Sequence, residues 1–341
     1  MGGKPSVPDA RLPADRTFIV TGANTGIGYE TAKKIAKLGG RVILACRSEE
    51  RAKTAIENMK KETQDEYAEV KKNEETEGEV PELNIEFMQL DLASFESTVE
   101  FARRYRDRGL PLHVLICNAG LYGPSTRMTA DGFELHFQVN YLSHFLLTLL
   151  LLPLLKESAP NSRIINVSSM GHRVGELKLD NIQGQKSYSF QKFYSNSKVY
   201  QIMNMHSLAR KIEAQGISIF SLDPGFVDTE IFRERSGFTG SYISFLLPIR
   251  KLLCTDTESG ARTSLIAALD PKYDDKTALY FINGKPANSN NLSRNTAKQE
   301  ILWRYSLQCL RKNLNDVILQ NIGEKLENIK ELDDDETTTK N

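Results

Sequence analysis

Residues 17–38, TFIVTGANTGIGYETAKKIAKL, constrain the fold more than any other stretch of this sequence. The β-branched and aromatic run Phe18, Ile19, Val20 and Thr21 predicts a buried strand, and Ile27, Ala32, Ile35, Ala36 and Leu38 recur at helical spacing. Between them Gly22, Gly26 and Gly28, with Asn24, Thr25 and Ile27, predict a tight turn that opens the helix. Glycine tolerates positive φ, and its missing Cβ lets backbone N–H groups approach a pyrophosphate at the positive end of the helix dipole. The spacing G-x-x-x-G-x-G departs from the commoner G-x-G-x-x-G, yet the strand, turn and helix around it are those a dinucleotide grip requires.

Along the chain the same alternation repeats. Residues 41–45 predict a second strand that ends in Cys46, Arg47 and Ser48. An acidic residue there would bond a ribose 2′-hydroxyl; the cation Arg47 suits a 2′-phosphate instead, which favours NADP(H) over NAD(H). A helix from about residue 48 runs into the charged stretch 60–82, read as a solvated helix extension and loop inserted before the strand 84–90. Asp91 and Leu92 close that strand, a helix follows over 94–106, and the strand 112–117 leads to Asn118, Ala119 and Gly120. Residues 131–155 read as helical and carry Asn140; their apolar run 145–155, interrupted by Pro153, is too short to span a bilayer and predicts a buried helix. A strand over 163–168 ends in the pair Ser168 and Ser169, a helix covers about 191–214, and the strand 217–222 ends in Asp223, Pro224 and Gly225. The apolar and aromatic stretch 236–254 suits a cover over a ligand or a contact with lipid. A helix over 257–269, a short strand over 279–282 and a helix over 297–310 complete the pattern.

Strands alternating with helices predict one α/β domain: a Rossmann-type doubly wound parallel sheet of about seven strands, with helices on both faces and the ligand above the carboxyl edge. The expected boundaries are a polar N-terminal extension over 1–15, the Rossmann domain over 16–312 and an acidic tail over 313–341. Within the domain lie the charged insertion at 60–82 and a substrate-covering segment at 226–254.

Lys plus Arg and Asp plus Glu number 44 each, so no net field draws the chain to nucleic acid or an anionic membrane. The four cysteines have no C-x-x-C or metal-ligand spacing, and the five histidines form no metal motif; they read as reduced thiols and as packing or surface imidazoles of a cytoplasmic protein. Residues 1–16 contain no apolar core for a signal peptide or anchor. MGGKPS fits a myristoylation pattern at Gly2, so peripheral contact with an intracellular membrane is the alternative location.

The chemistry centres on Tyr194 and Lys198. Residues four apart share a helix face, and a nearby ammonium favours phenolate, so the tyrosine is expected to act as acid or base near neutral pH. With TGANTGIG at 21–28, NAG at 118–120, Asn140, the serine pair and PG at 224–225 in this order, the sequence resembles the short-chain dehydrogenase/reductase family. ACRS at 45–48, TADGFELHFQVNYLSHFLLT at 129–148 and RIINVSS at 163–169 look most like its retinol dehydrogenase branch.

The resemblance implies an oxidoreductase that interconverts a lipophilic alcohol, retinoid or steroid-like, and its aldehyde or ketone. Tyr194 would exchange the proton with the substrate oxygen, Ser169 would hydrogen-bond that oxygen, and Lys198 would lower the tyrosine pKa and bond the nicotinamide ribose. Asn140 would hold a relay water near the lysine. Asp91 and Leu92 would hold the adenine, Asn118, Ala119 and Gly120 would line the cofactor, and Pro224, Gly225, Val227 and Thr229 would cover its nicotinamide end. No metal is called for. A homodimer or tetramer through the helices at 131–155 and 190–214 is also implied. The sequence departs from the branch in lacking an N-terminal membrane anchor, in the length of the 60–82 insertion, and in having Asp223 where histidine is common. The competing reading is an NADP(H)-binding regulator or scaffold with little turnover.

Overall fold

The structure, a computed structural model, describes residues 6–73, 80–123, 127–213, 215–225 and 257–330. Seven strands run parallel: β1 (Thr17–Thr21), β2 (Arg41–Cys46), β3 (Ile85–Gln89), β4 (Val114–Cys117), β5 (Ser162–Val167), β6 (Ile217–Asp223) and β7 (Leu279–Ile282). Their order is 3-2-1-4-5-6-7, and β8 (Lys285–Ala287) joins β7 antiparallel at the edge. Among the described residues the sheet therefore has eight strands rather than about seven. The extra strand follows from Asn283 and Gly284, both at positive φ (51° and 74°) between two short extended runs. An Asn-Gly pair in that conformation makes the tight hairpin turn whose twist matches its strands.

Every residue of β1, β4, β5 and β6 is buried, because helices cover both faces. Side-chain alternation divides the core in two. Phe18, Val20, Val42 and Leu44 pack with α1 (Gly26–Lys37), α2 (Glu49–Asn73) and α6 (Thr257–Leu269). Ile19 and Ile43 face the other way, toward α3 (Phe95–Asp107), α4 (Ser143–Glu157) and α5 (Phe190–Lys211). The charged stretch after residue 60 extends α2 to Asn73, and it is tied to α1 where Lys33 meets Glu62 at 2.7 Å. Helix α4 does not break at Pro153, which lies within its second half. The segment Phe137–Glu157 is long and apolar enough to cross a membrane, but 83% of its most apolar window is buried inside the protein.

The C-terminal segment does more than trail as an acidic tail. Beyond the short α7 (Asn291–Arg294), Trp303 of α8 (Thr296–Cys309) stacks edge-on against Phe145 with centroids 5.0 Å apart, and Ser306 Oγ meets the Tyr141 hydroxyl at 2.7 Å. Leu314, Ile318 and Leu319 around α9 (Asp316–Gln320), and Ile322 and Ile329 after it, join the same core. Residues 331–341 lie outside the described residues. Ser143–Leu152 of α4 and Ser195–Met205 of α5 are all buried by the chain itself.

Candidate active site

The sheet order reverses between β1 and β4, and the turns that follow these two strands frame the crevice. Gly22 sits at φ +65°, and a Cβ on it would come within 2.9 Å of Ala119 Cα. A Cβ on Gly28 would lie 2.4 Å from Asn118 Nδ2 and 2.7 Å from the Gly22 carbonyl, so the helix can start this close to the β4 loop only with glycine there. Thr25 precedes α1 in extended backbone, and no side chain caps the helix among the described residues. Its first turn, Gly26, Ile27, Gly28 and Tyr29, carries no acid, so the amides there present positive potential to an anion. A cavity of about 280 Å³ opens beside Asn24 and Thr25, lined also by Tyr29, Arg51, Thr54 and Asn58. Arg47 is exposed just beyond β2. The glycine turn and the free amides of the first helical turn fit a nicotinamide dinucleotide.

At the ends of the neighbouring strands, Asp91 turns its carboxylate onto the Ala93 amide (2.9 Å), and the carbonyl of buried Leu92 accepts from Ser143 Oγ (2.6 Å). Asn118 donates from Nδ2 to the Thr21 carbonyl at 2.8 Å and thereby clips the two crevice loops together. The amides of Asn118 and Ala119 both donate to Thr21 Oγ1 at 2.9 Å. Gly120 lies against the lysine: a Cβ there would be 3.3 Å from Lys198 Nζ and 3.4 Å from Asn140 Oδ1. Pro224 and Gly225 close β6, with the Gly225 amide on Asp223 Oδ1. Val227, Thr229 and the covering segment 226–254 lie outside the described residues.

Tyr194 and Lys198 share one face of α5, as the spacing predicts, with Nζ 5.6 Å from the ring centroid. Lys198 Nζ donates to the Val167 carbonyl at 2.9 Å, and burial brings the amine down to about 7. Burial also pushes the Tyr194 phenol up to about 12; a hydrogen bond with Ser169 works against this, and Asp223 and Tyr122 add to it. Desolvation is the largest influence on the phenol. Ser169 and Ser168 are separated by their partners. Ser168 is buried and donates to the Lys198 carbonyl (2.8 Å), while the half-buried Ser169 bonds Tyr194. Tyr122 packs edge-on against Tyr194 at 4.8 Å and against Phe190 at 5.3 Å, and His136 stands 6.4 Å from the phenol ring.

Asn140 lies in a π turn, Phe137–Leu142, directly before α4. Such turns widen a helix by one residue and recur at functional sites. Its side chain accepts from the Leu121 amide (2.9 Å) and donates to Ser197 Oγ (3.0 Å) and the Leu121 carbonyl (3.1 Å), which fixes the β4 loop over α5. Its carbonyl accepts from His144 Nδ1 at 3.2 Å, and His144 Nε2 in turn meets Thr21 Oγ1 at 2.9 Å. Burial holds this imidazole down at about 4, so it is neutral and its Nε2 accepts the threonine proton. Thr21 and His144 thus connect the nucleotide turn to Asn140. Sequence reasoning missed both; the only local signal was a histidine four residues after Asn140 on a helical pattern.

The model of the short chain dehydrogenase family matches residues 16–78 and 63–238. Polyprenol dehydrogenase of Homo sapiens is 36% identical over 310 residues, covering 89% of this chain and 87% of that protein. Retinol dehydrogenase 12 of Mus musculus is 36% identical over 296 residues, covering 86% of each. Among solved structures, an uncharacterized protein from Mycobacterium Paratuberculosis superposes with a TM-score of 0.64 at 25% identity, over 88% of this chain and 95% of that one.

Proposed function

Because this chain belongs to the short-chain dehydrogenase family, we propose that it is an NADP(H)-dependent oxidoreductase that interconverts a lipophilic alcohol and its aldehyde or ketone. The observation that carries the reading is the bonded pair Tyr194 and Ser169 beside Lys198, whose ammonium lies next to Gly120 at the carboxyl edge of the sheet.

When bound, the nicotinamide dinucleotide supplies or accepts hydride at the substrate carbon. The protein's part is positioning and proton transfer. The amides from Gly22 to Gly28, with Asn24, Thr25, Gly26 and Ile27, would hold the pyrophosphate, and Arg47 a 2′-phosphate. Asp91 and Leu92 would flank the adenine, Asn118 to Gly120 the ribose side, and Pro224, Gly225, Val227 and Thr229 the nicotinamide end. In reduction Tyr194 gives its proton to the carbonyl oxygen while Ser169 donates a hydrogen bond to it; in oxidation Tyr194 takes the hydroxyl proton. Lys198 bonds the ribose and, beside Asn140, passes the proton onward. The aromatic wall of Tyr122 and Phe190 next to Tyr194 supports an apolar substrate, as do relatives named for retinol and polyprenol. Four scattered cysteines with no paired spacing suit a cytoplasmic location, with peripheral membrane contact the alternative that flotation with liposomes would reveal.

The test is consumption of NADPH, against NADH, over retinal, aliphatic aldehydes and ketosteroids, with Tyr194→Phe alongside. Turnover with NADPH that vanishes in the variant is the expected result. NADPH binding with no turnover on any carbonyl would turn the reading toward a cofactor-binding regulator.

A further inference from the structure

The turn that carries Ser169 is held from two sides, and the reaction above gives no part to the second. Ser169 opens a 3₁₀ turn, Met170–Val174, in extended backbone, and its Oγ accepts the Gly171 amide at 3.2 Å. On one side this turn lies against α5: a Cβ on Gly171 would be 3.3 Å from Tyr194 Cε1, and one on Gly175 would be 2.6 Å from the Ser195 carbonyl. On the other side it is tied to the chain from β7 onward. His172, fully buried, bonds the Ser169 carbonyl twice, through its amide at 3.0 Å and through Nδ1 at 2.7 Å. A carbonyl can only accept, so Nδ1 carries the proton. Tyr280 of β7 packs on this imidazole with ring centroids 5.0 Å apart and its hydroxyl 3.4 Å from Nδ1. Asn290 Nδ2, 118 residues along the chain, donates to the His172 carbonyl at 2.7 Å.

Asn290 is itself fixed. Its Oδ1 accepts the Ser293 amide at 3.0 Å and so caps α7. The Ser293 carbonyl accepts from Gln299 Nε2 of α8 at 2.6 Å, and Gln299 Oε1 accepts from Arg210, in the last turn of α5, at 2.7 Å. A line of hydrogen bonds thus runs from the far end of α5 through the C-terminal helices and back to the carbonyl of Ser169.

We propose that His172 and Asn290 are positioning residues that set where the Ser169 hydroxyl stands, so that the segment after β7 takes part in the chemistry. This rests on the dehydrogenase reading of Ser169 and Tyr194. A hydroxyl that must meet both the phenol and a substrate oxygen tolerates little displacement, since about 1 Å can cost about 10²-fold in rate. Close contact with α5 stops the turn from moving toward Tyr194. The bonds through His172 and Asn290 oppose movement away from it.

The experiment is a double-mutant cycle on kcat/KM for carbonyl reduction with NADPH, using wild type, His172→Phe, Ser169→Ala and the double variant, with Tyr194→Phe alongside. Phenylalanine fills the imidazole's space without its donor, so kcat/KM should fall about tenfold in the wild-type background and less than about twofold in Ser169→Ala, where no hydroxyl is left to place. A residue that only supports the fold would cost the same factor in both backgrounds. That result, or an unchanged rate in His172→Phe alone, overturns the proposal. Asn290→Ser still caps α7 but loses the amide, and it carries the same cycle if His172→Phe does not fold. Hydrogen exchange tests the clamp without turnover: the Gly171 and His172 amides, both bonded to Ser169, should exchange about tenfold faster in Asn290→Ser, and unchanged exchange overturns the proposal. A wild type without turnover, or a Tyr194→Phe variant that keeps it, would instead overturn the dehydrogenase reading.

Discussion

Lys198→Met is expected to make this protein more stable at acid pH while abolishing its activity. Burial moves the lysine from its ordinary 10.5 to about 7, so the folded state releases a proton that the unfolded chain keeps. Between these two values the unfolded state binds more protons, and wild-type stability therefore rises with pH across the window. Below pH 7 the ammonium is charged in both states, and its desolvation costs about 5 kcal/mol. At pH 9 the folded amine is neutral and the cost falls to about 2 kcal/mol. Methionine escapes this cost but loses the bond to the Val167 carbonyl, a penalty of about 1–3 kcal/mol.

The net expectation is a variant about 3 kcal/mol more stable than wild type at pH 6 and about level with it at pH 9. Urea unfolding of both proteins without cofactor, at pH 6, 7.5 and 9, reads the difference, and His144, whose imidazole the Lys198 charge helps to lower, is neutral in the wild type across this range. A gap that does not change with pH, or a variant weaker than wild type at pH 6, would refute the claim that the ammonium is held desolvated.

Three further variants test the geometry. Gly28→Ala forces a Cβ to within 2.4 Å of Asn118 Nδ2 and 2.7 Å of a backbone carbonyl, so thermal unfolding should report a loss of about 1–3 kcal/mol; NADPH fluorescence titration should show affinity weakened about tenfold or more as the loops separate. Ser169→Ala removes the hydroxyl bonded to Tyr194 and should lower kcat by about 10²-fold. Ser168→Ala, which removes only a buried bond to the Lys198 carbonyl, should cost about 1 kcal/mol of stability and far less activity.

The strand, glycine turn and helix at 17–38 were legible because each choice there is local: β-branched residues, turn glycines and a helical stripe. Tyr194 and Lys198 were legible as a pair for the same reason, since helix geometry alone puts residues four apart on one face. Their protonation was not, because spacing along a helix says nothing of what covers it. Thr21 and His144 stand 123 residues apart in sequence, and no periodicity links them. The edge hairpin did leave a signal, Asn283-Gly284 between two extended runs, and so did the packing of the C-terminal segment, where Leu314, Ile318 and Ile322 recur at helical spacing inside polar text. Acidic residues farther along hid that stripe.

One cause accounts for both departures from the expected electrostatics. Tyr122 packs edge-on against the phenol, and the same desolvation lifts the phenol and lowers the amine. A proton carrier works best when its pKa lies near the working pH, and an exposed lysine near 10.5 would hold its proton too tightly for that. Brought down to about 7, Lys198 can release and recover a proton at neutral pH, next to a tyrosine that stays protonated until a substrate oxygen or a base calls for it. The stability that Lys198→Met would recover is thus the measure of what the fold gives up to keep this amine buried. The covering of α4 and α5 by Trp303 and the C-terminal core supplies packing that lets the fold tolerate it.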